Sequence, residues 1–288
     1  MSTRRDVILQ GYRAALEMRR RANLSLWEPI CPFDLAEAIG VDVRFQAIGS
    51  LEGLYVRNPG PVIFVSSLRP AGRQAFTCAH ELGHHHFSHG YQVHQYFESA
   101  AQSQSKPQDE ILADAFAAHL LMPKSLVERA FHVRGWSPDL CTASQVFVIA
   151  SWLGVSYDAL VTHLEVGLAL ISTQLASGLR RETPKIIRAK YWPGVSGDLV
   201  VVDQQWGTRS VDVRVGDYVI VPGIARVEEA NASLAQYDSG TTLIQAQAPG
   251  VGRIVRDDVD WAVYVRISRR DYEGLSRFRH LEDSADED

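Results

Sequence analysis

Cysteine is scarce in this chain of 288 residues, which has only Cys31, Cys78 and Cys141. An odd number of widely separated thiols excludes the disulfide framework that staples small secreted domains. Long apolar runs are missing too: no window approaches the roughly 18 uninterrupted apolar residues of a membrane-spanning helix. The arginines at the N-terminus are followed by no apolar signal-peptide stretch, so the expected compartment is the cytoplasm and no membrane is expected. Lysine is rare, and the basic complement is almost all arginine. A net charge of −5 argues neither for nor against nucleic acid. What the chain does have is enough length for two domains of ordinary size, each able to bury a core. It also has ten histidines, five of them crowded between His80 and His89.

The crowding begins with His80-Glu81-Leu82-Gly83-His84, an H-E-x-x-H pattern. Histidines four apart on a helix project from one face, one turn apart, so both imidazoles can bind one metal ion. Glu81 is offset by about 100 degrees around the helix. Its carboxylate is thereby expected beside the metal's open position, where it can take a proton from water. The segment Arg73 to Phe87 has no proline and one glycine, and Phe76, Leu82 and Phe87 supply an apolar side, so it reads as a helix. A histidine-rich surface helix would share this pattern by chance, and a third ligand is what separates the two.

A zinc site that keeps an open position needs three protein ligands. Downstream, Glu110 to Met122 is strongly helical and ends at Pro123, which cannot continue a helix. Glu110 and Asp114 share one face of it. This spacing assigns Glu110 as the third ligand, and Asp114 as the carboxylate that orients a ligand imidazole, His80, through its other ring nitrogen. His85 and His86 cannot share a face with both His80 and His84 and are read as the helix flank or as outer partners. His89 is not expected to be a ligand, and His119 is expected to be packing.

Phe76-Thr-Cys-Ala-His-Glu-Leu-Gly-His84 combined with Glu110-x-x-Ala-Asp-x-Phe-Ala-x-x-Leu-Leu-Met-Pro123 resembles the ImmA/IrrE family of bacterial metallopeptidases. Pro32 to Val43, Leu51 to Val56 and Val62 to Val65 are similar to the family's leading helix and short sheet, so the likeness covers roughly residues 10 to 170. It implies a zincin-like peptidase with one Zn²⁺ per chain and a glutamate ligand matching Glu110. It also implies cleavage of helix-turn-helix repressors, which switches on genes for stress response, mobile elements or phage defence. Cys78 departs from the pattern, standing where the family more often has an aliphatic residue.

The fold class expected is α+β. A metallopeptidase domain over residues 1–178 would contain a small sheet and a helical subdomain from about residue 125. A β-rich domain over 179–280 and an acidic disordered tail over 281–288 would follow. Arg5 to Ala22 reads as an amphipathic helix with Arg19, Arg20 and Arg21 on its wet face. Cys31 to Gly40 reads as a helix, and Val41 to Phe45, Leu54 to Val56 and Val62 to Val65 as strands. Tyr91 to Gln108 connects the two metal-bearing helices, and Tyr91, His94 and Tyr96 are candidates to steady the oxyanion. Ala143 to Leu164 has a helix, a Gly154-Val155-Ser156 turn and a second helix, as in a helix-turn-helix. However, Cys141 to Leu179 contains no Lys or Arg, and DNA binding draws most of its affinity from neutralised phosphates, so direct DNA binding is not expected.

A boundary is expected near Ser177 to Pro184. Beyond it, Ile186 to Tyr191, Leu199 to Val202, Tyr218 to Val221, Thr241 to Gln245, Val251 to Arg256 and Trp261 to Ile267 read as strands. This half shows no metal constellation and no phosphate loop. It could sense a regulatory ligand or dock a substrate, and Trp206, Trp261 and Tyr264 are candidates for a pocket, with core packing the default.

The sequence therefore reads as a site-specific zinc endopeptidase: His80, His84 and Glu110 on the metal, Glu81 as general base, and a helix-turn-helix repressor as substrate. Mn²⁺ or another divalent ion satisfies the same ligand set. The alternative is a non-proteolytic regulator in which zinc is structural and the chain acts by binding a repressor or a ligand.

Overall fold

The structure is a computed structural model and describes residues 3–89, 92–95, 107–207, 209–228, 232–238, 240–256 and 258–281. The fold is α+β. Helix α1 (Arg4–Arg21) opens on a capping box between Thr3 and Asp6. Helix α2 (Pro32–Ala38) leads into β1 (Asp42–Gln46), β2 (Leu51–Val56) and β3 (Val62–Ser66), then α3 (Ala71–His86), β4 (Gln92–Gln95) and α4 (Gln108–Leu121). The sheet order is β13-β1-β3-β2-β4, with β1 parallel to β3 and β2 antiparallel to both of its neighbours. Its edge strand β13 (Gly274–Leu275) comes from the far end of the chain.

Helices α5 (Lys124–His132), α6 (Ala143–Leu153), α7 (Tyr157–Thr162), α8 (Thr173–Arg181) and α9 (Pro184–Tyr191) follow. Among the described residues no single helix is long and apolar enough to cross a membrane. The segment after α6 is bent from it by 107°. Val146, Ile149 and Leu153 of α6 and Leu160 and Val161 of α7 are buried in the core, so the apolar composition of this pair serves packing.

Two further sheets complete the fold. One has the order β5-β7-β10-β9, from β5 (Leu199–Val201), β7 (Tyr218–Pro222), β9 (Ala232–Asp238) and β10 (Thr241–Ala246). The other has the order β6-β12-β11-β8, from β6 (Val211–Arg214), β8 (Ala225–Glu228), β11 (Gly250–Arg256) and β12 (Trp261–Ser268). One continuous hydrophobic cluster runs from Ala14 to Ile267 and joins the helices to these sheets.

Two expectations change. Ile186 to Tyr191 is helical, not extended: Thr183 caps the N-terminus by accepting from the Ile186 N–H, and Pro184 occupies the first turn. Its β-branched residues face two ways, Ile187 into the core and Ile186 out to solvent. The cut between residues 178 and 179 falls within α8, and the break between α8 and α9, at Glu182 and Thr183, lies within the expected boundary of Ser177 to Pro184. Arg19, in turn, is not on the wet face of α1. It is fully buried, and its guanidinium donates to the carbonyls of Leu120 (2.7 Å), Ser25 and Glu28 (3.1 Å). It serves an unpaired carbonyl at the C-terminus of α4, a demand that the α1 sequence does not reveal. Residues 282–288 of the expected tail lie outside the described residues.

Candidate metal centre

Four contacts fix the helix that carries the H-E-x-x-H pattern. Gln74, buried in the first turns of α3, donates to the carbonyls of Ser66 (3.2 Å) and Ser67 (2.9 Å) at the end of β3. Glu52 on β2 pairs with Arg69 (2.7 Å) and Arg73 (2.9 Å). Gly53 lets β2 run so close to α3 that a Cβ there would stand 2.4 Å from Thr77 Cγ2 and 2.6 Å from Glu81 Oε1. Gly83, between the two histidines, does the same for α4: a Cβ would meet Ala113 Cα at 3.1 Å and the Phe116 ring at 3.2 Å.

Because α4 can approach to that distance, its first turn reaches the histidine face. His80 Nε2 and His84 Nε2 stand 3.1 Å apart. Glu110 offers one oxygen to each, at 3.4 Å from His80 and 3.3 Å from His84. The ligand atoms of these three residues all lie within 4.8 Å of one another, so the group could hold a metal ion. His84 is fully buried and His80 is 8% exposed.

The outer ring nitrogens have their own partners. His80 Nδ1 is 3.0 Å from Asp114 Oδ1. A carboxylate accepts from an N–H, so this contact places the proton on Nδ1 and leaves the Nε2 lone pair facing Glu110. His84 Nδ1 lies 2.8 Å from His89 Nδ1, and His89 Nε2 is 3.5 Å from Asp109 Oδ1. The consistent tautomers have His89 donating from Nε2 toward Asp109 and accepting the His84 Nδ1 proton. Both inward nitrogens are then unprotonated, as metal ligands must be.

Sequence reasoning did not find the role of His89. It depends on the end of α3, where Ser88 adopts φ +55° and the amides of Ser88 and His89 bond back to the carbonyls of His85 and His84. This reversal returns His89 to the helix it has just left. A glycine would have flagged the left-handed position; serine does not.

Electrostatics favour a cation. Burial alone would lower the His80 pKa, but hydrogen bonds to Asp114 and Glu110 and the charge of Glu81 raise it to about 9. The proton that this shift favours on His80 Nε2 is the one a divalent ion would displace, which leaves the tautomer protonated on Nδ1 alone. Burial pushes the Glu81 carboxyl up to about 8; His80 opposes the rise, Glu110 adds to it and the Tyr55 backbone amide opposes it. Glu81 is fully buried, and among the described residues neither carboxylate oxygen makes a hydrogen bond of good geometry, the pull of the Tyr55 amide being the weakest of the influences on it. A buried carboxylate in that condition is costly for stability. Its position next to the ligand set gives it a chemical use.

The other candidates fall elsewhere. His85 Nδ1 is 2.8 Å from the Tyr55 hydroxyl, and the His86 ring stacks on Phe116. His119 is buried against Tyr12 and His163. All three cysteines are free thiols, and none belongs to the group that could hold a metal among the described residues. Tyr91 and Tyr96 lie outside the described residues, as does the side chain of His94 on β4.

No curated protein matches the sequence. Residues 36–165 match the family model Peptidase_M78, described as the IrrE N-terminal-like domain. That stretch contains α3, α4 and every residue of the metal centre, and its match supports a metallopeptidase domain of the ImmA/IrrE type.

Proposed function

We propose that the chain is a zinc-dependent endopeptidase of the cytoplasm that cuts a helix-turn-helix repressor. The observation that carries this reading is Glu81: a fully buried carboxylate, one residue from His80, that feels the charges of both His80 and Glu110 and, among the described residues, is paired with no cation. A purely structural metal site has no need of such a group. Two imidazoles and one carboxylate suit zinc, and manganese accepts them as well.

In this reading His80, His84 and Glu110 hold the ion, while Asp114 and His89 keep the two imidazoles in the ligating tautomer and orientation. A divalent ion, when bound, polarises the scissile carbonyl and lowers the pKa of water. Glu81 receives the proton of the attacking water at its carboxylate and passes it to the departing amine nitrogen. Its burial serves the second half of that task, because a carboxyl whose pKa is raised holds the proton until the amine takes it. The β-rich residues after α9 act as a sensor of a regulatory ligand or as the surface that docks the repressor.

The test compares newly formed protein N-termini in cells carrying wild type or Glu81→Gln, with and without DNA damage, alongside the metal content of the purified proteins. Glu81→Gln is expected to keep its metal and to lose one dominant cut in a helix-turn-helix protein. If wild type and Glu81→Gln give the same termini under both conditions, the peptidase reading is lost and a regulator that works by binding takes its place.

A further inference from the structure

Away from the metal centre, a cavity of about 550 Å³ opens where α2, the start of α3, the α6–α7 turn and the strands after α9 meet. That volume lies in the range of small-molecule sites, about 300–1,000 Å³. Its walls include the rings of Phe76, Phe147, Tyr157 and Trp206. Of the three aromatic residues singled out in the second half of the sequence, Trp206 is here, while Trp261 and Tyr264 are not.

Arginines outnumber acids on the wall, and most of them are neutralised. Arg188 pairs with Asp198, Arg214 with Asp198 and Asp217, and Arg279 with Asp34. Arg209 differs. Its guanidinium donates to the Trp152 carbonyl and lies against Gly154, where a Cβ would stand 2.6 Å from Nη2. Among the described residues, no carboxylate forms an ion pair with it.

Arg209 is also held in place from behind. The Trp206 indole N–H donates to the Arg209 carbonyl (2.7 Å), and the Trp152 indole N–H donates to the Trp206 carbonyl (3.2 Å). Burial lowers the Arg209 pKa below its ordinary value; Asp212 on the same wall, which is paired with Arg266, and Asp34 oppose the shift without cancelling it. A preorganised guanidinium among aromatic faces is suited to a ligand that brings both a negative charge and a flat ring.

We propose that this cavity is a binding site for a small organic anion carrying a planar ring, with Arg209 as the charge partner. The inference does not depend on peptidase activity or on the identity of the metal. The cavity does share a wall with the catalytic scaffold, because Phe76 precedes His80 on α3 by one turn, a rise of about 6 Å.

The experiment is calorimetric titration and thermal unfolding of the full chain with adenosine monophosphate, benzoate, adenosine and inorganic phosphate. The first two combine ring and charge, with a phosphate or a carboxylate head; each of the others has one feature alone. At least one ring-bearing anion is expected to bind with a stoichiometry of one, about tenfold or more tighter than adenosine and phosphate. Arg209→Gln should weaken it about tenfold or more and leave adenosine unchanged. Ser151→Phe, which fills the cavity from α6, should abolish binding while circular dichroism stays that of wild type. The proposal is overturned if neither adenosine monophosphate nor benzoate binds wild type at millimolar concentration, or if binding is undiminished in both variants.

Discussion

A methyl group on residue 53 would stand 2.6 Å from Glu81 Oε1 and 2.4 Å from Thr77 Cγ2. Neither neighbour is free to yield, because Glu81 is fully buried and α3 is tied to the sheet through Gln74 and Glu52. Gly53→Ala is therefore expected to turn the Glu81 carboxylate away while leaving His80, His84 and Glu110 in place. The measurable result is a fall in kcat with metal content unchanged, about tenfold or more if the displacement approaches 1 Å. Loss of metal and activity together would mean that α3 as a whole had shifted. The residue scale is also where the sequence was least complete. His80, Glu81, His84, Glu110 and Asp114 were legible because their spacing follows from the helical repeat. His89 was hidden by a serine doing what glycine usually does, and Arg19 by a carbonyl 101 residues away that only the packed fold presents to it.

The pair α3 and α4 is the working element of the site, and small residues set its spacing. Gly83 lies against Ala113 and Phe116, one turn along α4 from Glu110. Gly83→Val should push α4 outward and draw Glu110 away from the histidines without removing any ligand. Metal affinity measured by competition with a chromogenic chelator is expected to fall about tenfold to a hundredfold, the range seen when supporting groups are lost. Unchanged affinity would mean that Glu110 reaches the ion independently of helix contact. Helices α1, α3 and α4 and strands β1 to β3 were readable because each has a strong local signal: a periodic apolar face, or a β-branched run between turn residues. Helix α9 was not, since Ile186, Ile187 and Tyr191 suggest a strand by composition and the Thr183-Pro184 start has to outweigh them. Strands β6, β8 and β13 are so short that pairing with distant partners, and not their own sequence, makes them strands.

At the scale of the whole molecule, stability against acid rests on buried neutral histidines. Burial depresses His119 to about 4 and His163 to about 3, and the nearby His119 adds to the depression of His163. Both folded values lie below the ordinary 6.5, so between that value and about 4 the unfolded chain binds more protons and stability falls with falling pH. Each histidine contributes a slope of at most about 1.4 kcal/mol per pH unit. Denaturant unfolding at pH 7 and pH 5 should show the loss, and His119→Phe, which keeps a ring against Tyr12, should reduce it. Cooperativity follows from how the parts are joined. The chain reads from its sequence as two domains, yet the hydrophobic cluster is continuous across them. Arg134 grips Asp203 through two bonds of 2.6 and 3.0 Å. Arg214 donates to the Arg69 carbonyl at 2.8 Å, and β13 closes the edge of the first sheet. Unfolding residues 199–275 alone would expose the core face of α6 and strip β1 of its edge partner, so neither part is expected to have a stable state without the other. Calorimetry is expected to give one transition with equal calorimetric and van't Hoff enthalpies, despite a length at which separate transitions are common. Two resolved transitions, the lower one leaving the α3–α4 metal centre intact, would show that the sheets after α9 fold on their own and that the shared core is only a contact surface.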